Sequence, residues 1–183
     1  MLRYQIGITL IPGIGNILAK NLIAYIGDVE GVFKESKKNL AKIPGIGEVR
    51  AAEIASQKVL KRADEEVEFV QKNQLSTYYF TDKNYPFRLK ECPDSPILLY
   101  GKGNLHVNDG KFVAIVGTRN PTEWGKENCQ RLVADLAEKL SHVTIISGLA
   151  YGIDITAHKA ALAANLPTII IPGHGLEGVT YTH

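Results

Sequence analysis

The sequence predicts an α/β protein: a parallel sheet with crossover helices, preceded by a small all-helical domain. Three observations carry this. From Phe112 onward, apolar β-branched runs alternate with helical patterns, as expected of βαβ units. Two of the strand-to-helix junctions are punctuated by glycine. They read A-I-V-G-T-R-N-P-T-E-W-G (Ala114 to Gly125) and I-I-S-G-L-A-Y-G-I-D-I-T-A-H (Ile145 to His158). Near the N-terminus, Ile11-Pro12-Gly13-Ile14-Gly15 recurs unchanged as Ile43-Pro44-Gly45-Ile46-Gly47, an identity long enough to be treated as a repeat.

The elements follow in order. Ile6 and Leu10 before the first copy, and Leu40 and Ile43 at the second, lie at helical spacing. Helical patterns also follow both copies, at Asn16–Ile23 and from Glu48. Each unit reads as helix, tight Pro-Gly hairpin, helix. The helix after the second copy is expected from about Glu48 to Gln71, its charged face formed by Lys58, Lys61, Arg62, Glu65 and Glu68. A change of texture near residue 72 divides the chain into a helical domain, 1–72, and a sheet domain, 73–183. Ser76–Phe80 and Ile97–Tyr100 read as strands, joined by an extended, proline-bearing connection from Thr81 to Pro96. Gly101–Gly110 is a turn-rich loop. Then come a strand (Phe112–Val116), a helix (Glu123–Leu140), a strand (Val143–Ser147), a helix (Ile153–Ala164) and a strand (Thr168–Ile171). The count for the parallel part is four strands, where a doubly wound sheet usually has five or six. These residues are therefore expected to be part of a longer protein, ending inside its second domain.

With 183 residues and 45% hydrophobic content the chain can bury a sizeable core. No apolar run approaches the ~20 residues that span a bilayer, and the first residues carry no signal-peptide pattern. Cys92 and Cys129 lack metal-site spacing and read as reduced thiols of a cytoplasmic protein. The net charge of +2 is small for a non-specific nucleic-acid binder, so any such binding must use a local patch. The Lys34, Lys37, Lys38, Lys42 cluster reads as a solvated face.

Helices joined by Pro-Gly-apolar-Gly resemble the helix-hairpin-helix unit, of SAM-like type. Backbone N–H groups of Gly13, Gly15, Gly45 and Gly47, at helix starts, suit phosphates; Lys20 and Arg50 are the nearby cations. The alternative is a helical domain using the same turns only for packing.

The two later turns would open on one edge of the sheet, where open α/β sheets bind ligands. The first lacks G-x-G-x-x-G and the P-loop pattern. It offers Gly117, Thr118, Arg119 and Asn120, with Arg119 able to fork onto a phosphate, or else to tie the loop down in a salt bridge. Asn120 or Thr122 is the expected helix cap. The second offers Ser147, Gly148, Leu149 and Gly152. Ser147, Asp154 and His158 do not read as a hydrolase triad, because the nucleophile elbow is absent. The Ser147 hydroxyl is instead expected to bind an anion, Asp154 to cap or brace the turn, and His158 to pair with Asp154 as structural support. No cofactor or metal site is expected.

V-G-T-R-x-x-T-x-x-G (Val116 to Gly125) and S-G-L-A-x-G-I-D-x-x-A-H (Ser147 to His158) resemble the DprA/Smf family of bacterial DNA-processing proteins. So do T-I-I-I-P-G-H-G-L-E (Thr168 to Glu177) and the Tyr85-Pro86…Pro96 to Gly103 approach. The resemblance covers essentially the whole chain. It implies a Rossmann-like domain after the helical one. It also implies single-stranded DNA binding without chemistry, protection of incoming DNA in natural transformation, and loading of the RecA recombinase. Arg119 becomes the leading phosphate contact, with Gly117, Ser147, Gly148 and Gly152 as the pocket's backbone. Thr122 stands where the family often has serine, which keeps the hydroxyl. The family's homodimer surface and much of its RecA surface are expected beyond His183. The competing class is a Rossmann-like nucleotide enzyme of phosphoribohydrolase type. That class wants a glutamate in a glycine-rich loop, for which Gly173-His174-Gly175 with Glu177 is a weak match.

Overall fold

Proline and glycine turn the chain sharply at both copies of the repeat. Gly13 and Gly45 take φ of +75° and +83°, a region that side-chain-bearing residues rarely adopt. In each copy the two isoleucines are buried while the proline and both glycines are exposed. The hairpins thus face solvent while their apolar residues anchor the core. The computed structural model describes residues 1–173 and 175. They form two compact units, one from Met1 to Asn108 and one from Asp109 onward.

The first unit holds α1 (Leu2–Thr9), α2 (Asn16–Ile26), α3 (Val29–Lys34), α4 (Lys37–Leu40), α5 (Gly47–Ser56) and α6 (Val59–Lys72). It also contains β1 (Ser76–Tyr79), α7 (Phe87–Lys90) and β2 (Leu98–Gly101). Asp28 and Ser36 cap α3 and α4 through their side-chain oxygens. The core joins Ile6, Ile8, Leu22, Phe33, Leu40 and Ile54 to Tyr79, Ile97 and Leu98. The strands therefore pack with the helices, and this unit runs past the composition change at residue 72. Gly7 lets α1 close onto its neighbours: a Cβ there would lie 2.8 Å from Leu60 Cδ2 and 3.1 Å from Phe33 Cζ.

Two expectations are corrected here. The helix from Glu48 to Gln71 is two helices, because Gln57 adopts a left-handed φ of 52° and ends α5. Its Nε2 donates to the Phe33 carbonyl at 2.8 Å, a tertiary bond that fixes the break. The connection from Thr81 to Pro96 contains the short helix α7 and is held by the fully buried Tyr85, whose hydroxyl donates to the Pro96 carbonyl.

The second unit holds β3 (Lys111–Ala114), α8 (Glu123–Lys139), β4 (Val143–Ser147), α9 (Ile153–Ala163) and β5 (Thr168–Ile170). The strands run parallel in the order β3-β4-β5, with Ala114 opposite Ile146 and Ile146 opposite Ile169. Right-handed crossovers in one direction put both helices on one face. There Ile115, Val143 and Ile145 meet Cys129, Val133, Ala157 and Ala161. The expected count of four parallel strands is corrected to three among the described residues. β2 pairs antiparallel with β1 in a separate ribbon, Tyr79 opposite Leu98. Cys92 is exposed and Cys129 buried, both as free thiols, and burial pushes the Cys129 thiol up. Among the described residues no helix is long and apolar enough to cross a membrane.

Candidate nucleic-acid interface

In the first unit the repeat packs reciprocally. A Cβ on Gly13 would lie 3.3 Å from Arg50 Nε, and one on Gly45 would lie 2.9 Å from Leu18 Cδ2. Leu18 and Arg50 occupy the same place in the two copies, three residues after the second glycine. Each hairpin therefore leans on the helix that follows the other. The turns match as well: Ile14 N donates to Ile11 O and Ile46 N to Ile43 O, both at 3.1 Å.

Arg50 plays a different part from the phosphate contact expected of it. Its Nε donates to Gly13 O at 2.9 Å and its Nη1 to Gly45 O at 3.0 Å, so one guanidinium clamps both hairpins. Lys20 is likewise engaged, with Nζ donating to Pro93 O at 3.0 Å and Ser95 Oγ at 2.8 Å. Asn16 joins it, donating to Asp94 O and accepting from Ile97 N. These two residues staple the segment before β2 onto α2. The lysine cluster is exposed, with Lys34 paired to Glu30 and Lys37 to Glu48. Arg50→Ala is expected to lower stability by about 1–2 kcal/mol, since two charge-assisted bonds are lost at a half-buried site. Arg50→Lys should recover little, because an ammonium lacks the fork that reaches both carbonyls. Urea unfolding of the three proteins checks this.

In the second unit the two glycine turns are locked together. Ile153 N, opening α9, donates to Thr118 O at 3.2 Å. Gly152, at φ 90°, lies so close beneath that a Cβ would come within 2.2 Å of Thr118 O and 2.7 Å of Arg119 O. A Cβ on Gly117 would meet the Ile153 side chain at 2.6 Å. Thr118 Oγ1 accepts from Asn120 N at 3.2 Å. Thr122 caps α8, its Oγ1 accepting from Gly125 N at 3.1 Å, which makes it, and not Asn120, the cap. Arg119 is exposed, and among the described residues it has no hydrogen bond or ion pair, so the loop-tying alternative is not the arrangement seen.

Beside it opens a cleft of about 550 Å³, lined by Arg119, Asn120 and Pro121, by Lys126 and Gln130 of α8, and by Gly152, Ile155, Thr156 and Lys159 of α9. Gln130, Lys126 and Lys159 were not picked out from the sequence. The spacing Ile155, Lys159 was the available signal, since residues i and i+4 share a helix face. Lys126 Nζ pairs with Glu123 Oε1 at 2.7 Å, whereas Lys159 is exposed. The cleft thus gathers Arg119, Lys126 and Lys159 near the start of α9, a dipole end that also favours anions.

Three expectations are corrected. Ser147 is 3% exposed and its hydroxyl donates to Ile115 O at 2.6 Å, so it ties β4 to the end of β3 and does not reach an anion. His158 does not bond Asp154. Its Nδ1 meets Thr168 Oγ1 at 2.7 Å and its Nε2 meets Gly148 O at 2.6 Å, so it braces the second turn against β5. Asp154 caps nothing; its buried Oδ1 has no hydrogen-bond partner, and its Oδ2 lies 2.6 Å from where a Gly148 Cβ would stand. Ser147, Asp154 and His158 are therefore not linked as a proton relay. Leu149 and Gly148 are half-buried in the second turn. Among the described residues no cluster of His, Cys, Asp or Glu could hold a metal ion. His174 and Glu177, part of the weak match to the loop that the nucleotide-enzyme reading wants, lie outside the described residues.

Comparison with known proteins adds to this geometry. Residues 76–182, more than half of the chain, match the model of the family described as DNA recombination-mediator protein A. Residues 7–57 match a SAM-like helix-hairpin-helix tandem. Protein Smf of Synechocystis sp. is 31% identical over 181 residues, covering 95% of this chain and 44% of that protein. DNA processing protein DprA of Bacillus subtilis is 37% identical over 106 residues, 57% of this chain and 35% of its own length. The X-ray structure of DNA processing protein A from Streptococcus pneumoniae superposes with a TM-score of 0.75 at 28% identity, covering 99% of this chain and 60% of that one. The chain spans less than half the length of these curated relatives.

Proposed function

The chain belongs to the DNA recombination-mediator protein A family, and from that premise we propose that it binds single-stranded DNA by its phosphates. The cleft of the second unit is the leading site, and the protein acts there as a binder. The observation that carries the reading is Arg119: exposed, without a partner among the described residues, and held on a turn whose carbonyls are pinned by Gly152 and Ile153. A fixed backbone presenting a free guanidinium suits bidentate phosphate contact at little entropic cost. Lys159 and Lys126 extend the positive surface along α8 and α9. Gly117, Thr118, Asn120, Gly148 and Leu149 supply the surrounding backbone. Contacts to phosphates carry no sequence information, so this binding is indifferent to sequence.

The N–H groups of the exposed residues Gly13, Gly15, Gly45 and Gly47 supply a second backbone contact, with Arg50 holding the two hairpins at fixed spacing. For the whole protein we propose protection of incoming DNA and help in loading RecA during transformation and recombination, as a homodimer in the cytoplasm.

Arg119→Ala tests the cleft. Binding to oligonucleotides of any sequence should weaken, and the slope of log affinity against log salt should fall by about one. Unchanged affinity with an unchanged slope rejects Arg119 as the contact. Because Arg119 is exposed, the variant should keep the parent's thermal unfolding curve.

A further inference from the structure

We propose that Tyr151, next to the cleft, and Trp124, on the outer flank of α8, form a base-stacking platform, which gives the site its preference for unpaired strands. The proposal rests on the phosphate-binding reading above. Tyr151 is 83% and Trp124 is 74% exposed, in a unit whose other aromatic among the described residues, Phe112, is partly buried. Large rings left in water beside a cationic site have a ready partner in nucleobases, each of which has a π-face.

Both rings stand on fixed supports at the edge where the strands end. Tyr151 directly precedes Gly152, whose backbone abuts the Thr118 and Arg119 carbonyls. It is therefore carried next to the phosphate contact. Trp124 sits in the first turn of α8, behind the Thr122 cap, and its carbonyl accepts from Asn128 Nδ2 at 2.7 Å. At 3.6 residues per turn, two positions separate Trp124 from Lys126 by more than half a helix face. Trp124 thus lies on the flank of α8 away from the cleft. A strand seated at Arg119 meets Tyr151 at once and reaches Trp124 by running on over the start of α8. In a duplex the bases are already stacked on one another and offer neither ring a face.

Trp124 is the single tryptophan of the chain, so its emission reports on this site alone. The full chain is titrated with a thymidylate oligomer and with an abasic oligomer carrying the same number of phosphates. Thymidylate should quench the emission saturably and the abasic strand should not. Trp124→Ala and Tyr151→Ala should each weaken thymidylate binding about tenfold and leave abasic binding unchanged, with Trp124→Phe recovering most of the loss. Full thymidylate affinity in either alanine variant, or equal loss on both oligomers, overturns the platform. If Arg119→Ala still weakens both oligomers in that case, the phosphate cleft stands and only the stacking fails. If the wild-type chain binds neither oligomer, both readings fall.

Discussion

Gly152→Ala is expected to destabilise the second unit by about 3–5 kcal/mol, the combined cost of a forbidden backbone and a backbone clash. Gly152 takes φ 90° and ψ −127°, which only glycine visits without strain. The added methyl would stand 2.2 Å from Thr118 O and 2.7 Å from Arg119 O. Neither is the end of a flexible side chain, so relief requires the two turns to part. Parting them breaks the Ile153 N to Thr118 O bond and releases the loop that carries Arg119. The variant should therefore lower the urea midpoint and also weaken oligonucleotide binding under conditions where it remains folded. Gly125→Ala is the internal control. It lies in α8, its Cβ would find nothing closer than 3.5 Å, and the change should be neutral or slightly stabilising. Equal urea midpoints for Gly152→Ala and Gly125→Ala would refute the argument.

The parts legible in the sequence were those written in backbone chemistry. Proline and glycine mark both hairpins, and glycine marks both strand-to-helix turns, because few other residues serve in such geometry. The order of strands and helices after Phe112 followed from periodicity alone. Long-range pairing was not legible. The run at Ile97–Tyr100 reads equally well as a strand of the parallel sheet or of a ribbon, and its antiparallel pairing with Ser76–Tyr79 is decided by the core formed with Ile6 and Phe33. The break at Gln57 had no local signal, since it rests on a bond to Phe33 O.

Side-chain roles were the least legible layer of the site. Ser147 looked like an anion donor because it ends a strand beside glycine, yet the neighbouring strand offers the Ile115 carbonyl within reach and takes its proton. Lys126 and Lys159 belong to no sequence motif and come to one cleft only because the fold sets α8 beside α9. The same rule covers both cases: a motif fixes where the backbone turns, while the partner of each polar atom is set by which strand or helix lies alongside.

His158 shows this rule with the next largest effect. His158→Ala is expected to cost about 3 kcal/mol. Gly148 O can only accept, so His158 Nε2 carries a proton and donates to it at 2.6 Å. On the other side of the ring, Nδ1 meets Thr168 Oγ1 at 2.7 Å, and that hydroxyl reaches Ile145 O at 2.9 Å. One buried ring thus bridges the S-G-L-A turn and β5 and, through the Thr168 hydroxyl, the middle of β4. Its removal leaves a carbonyl unpartnered and a cavity where the ring stood, at a residue only 6% exposed. His158→Gln should recover part of the loss, because its amide N–H can reach the position of Nε2, whereas His158→Leu fills the space and recovers nothing of the bond. Urea unfolding ranks the variants as histidine, glutamine, leucine, then alanine. An unchanged midpoint for leucine would show that the ring is filler and that the second turn is held by other contacts. The loss should also appear in binding at Arg119, since Gly148 and Gly152 belong to one turn and Gly152 seats the Arg119 loop.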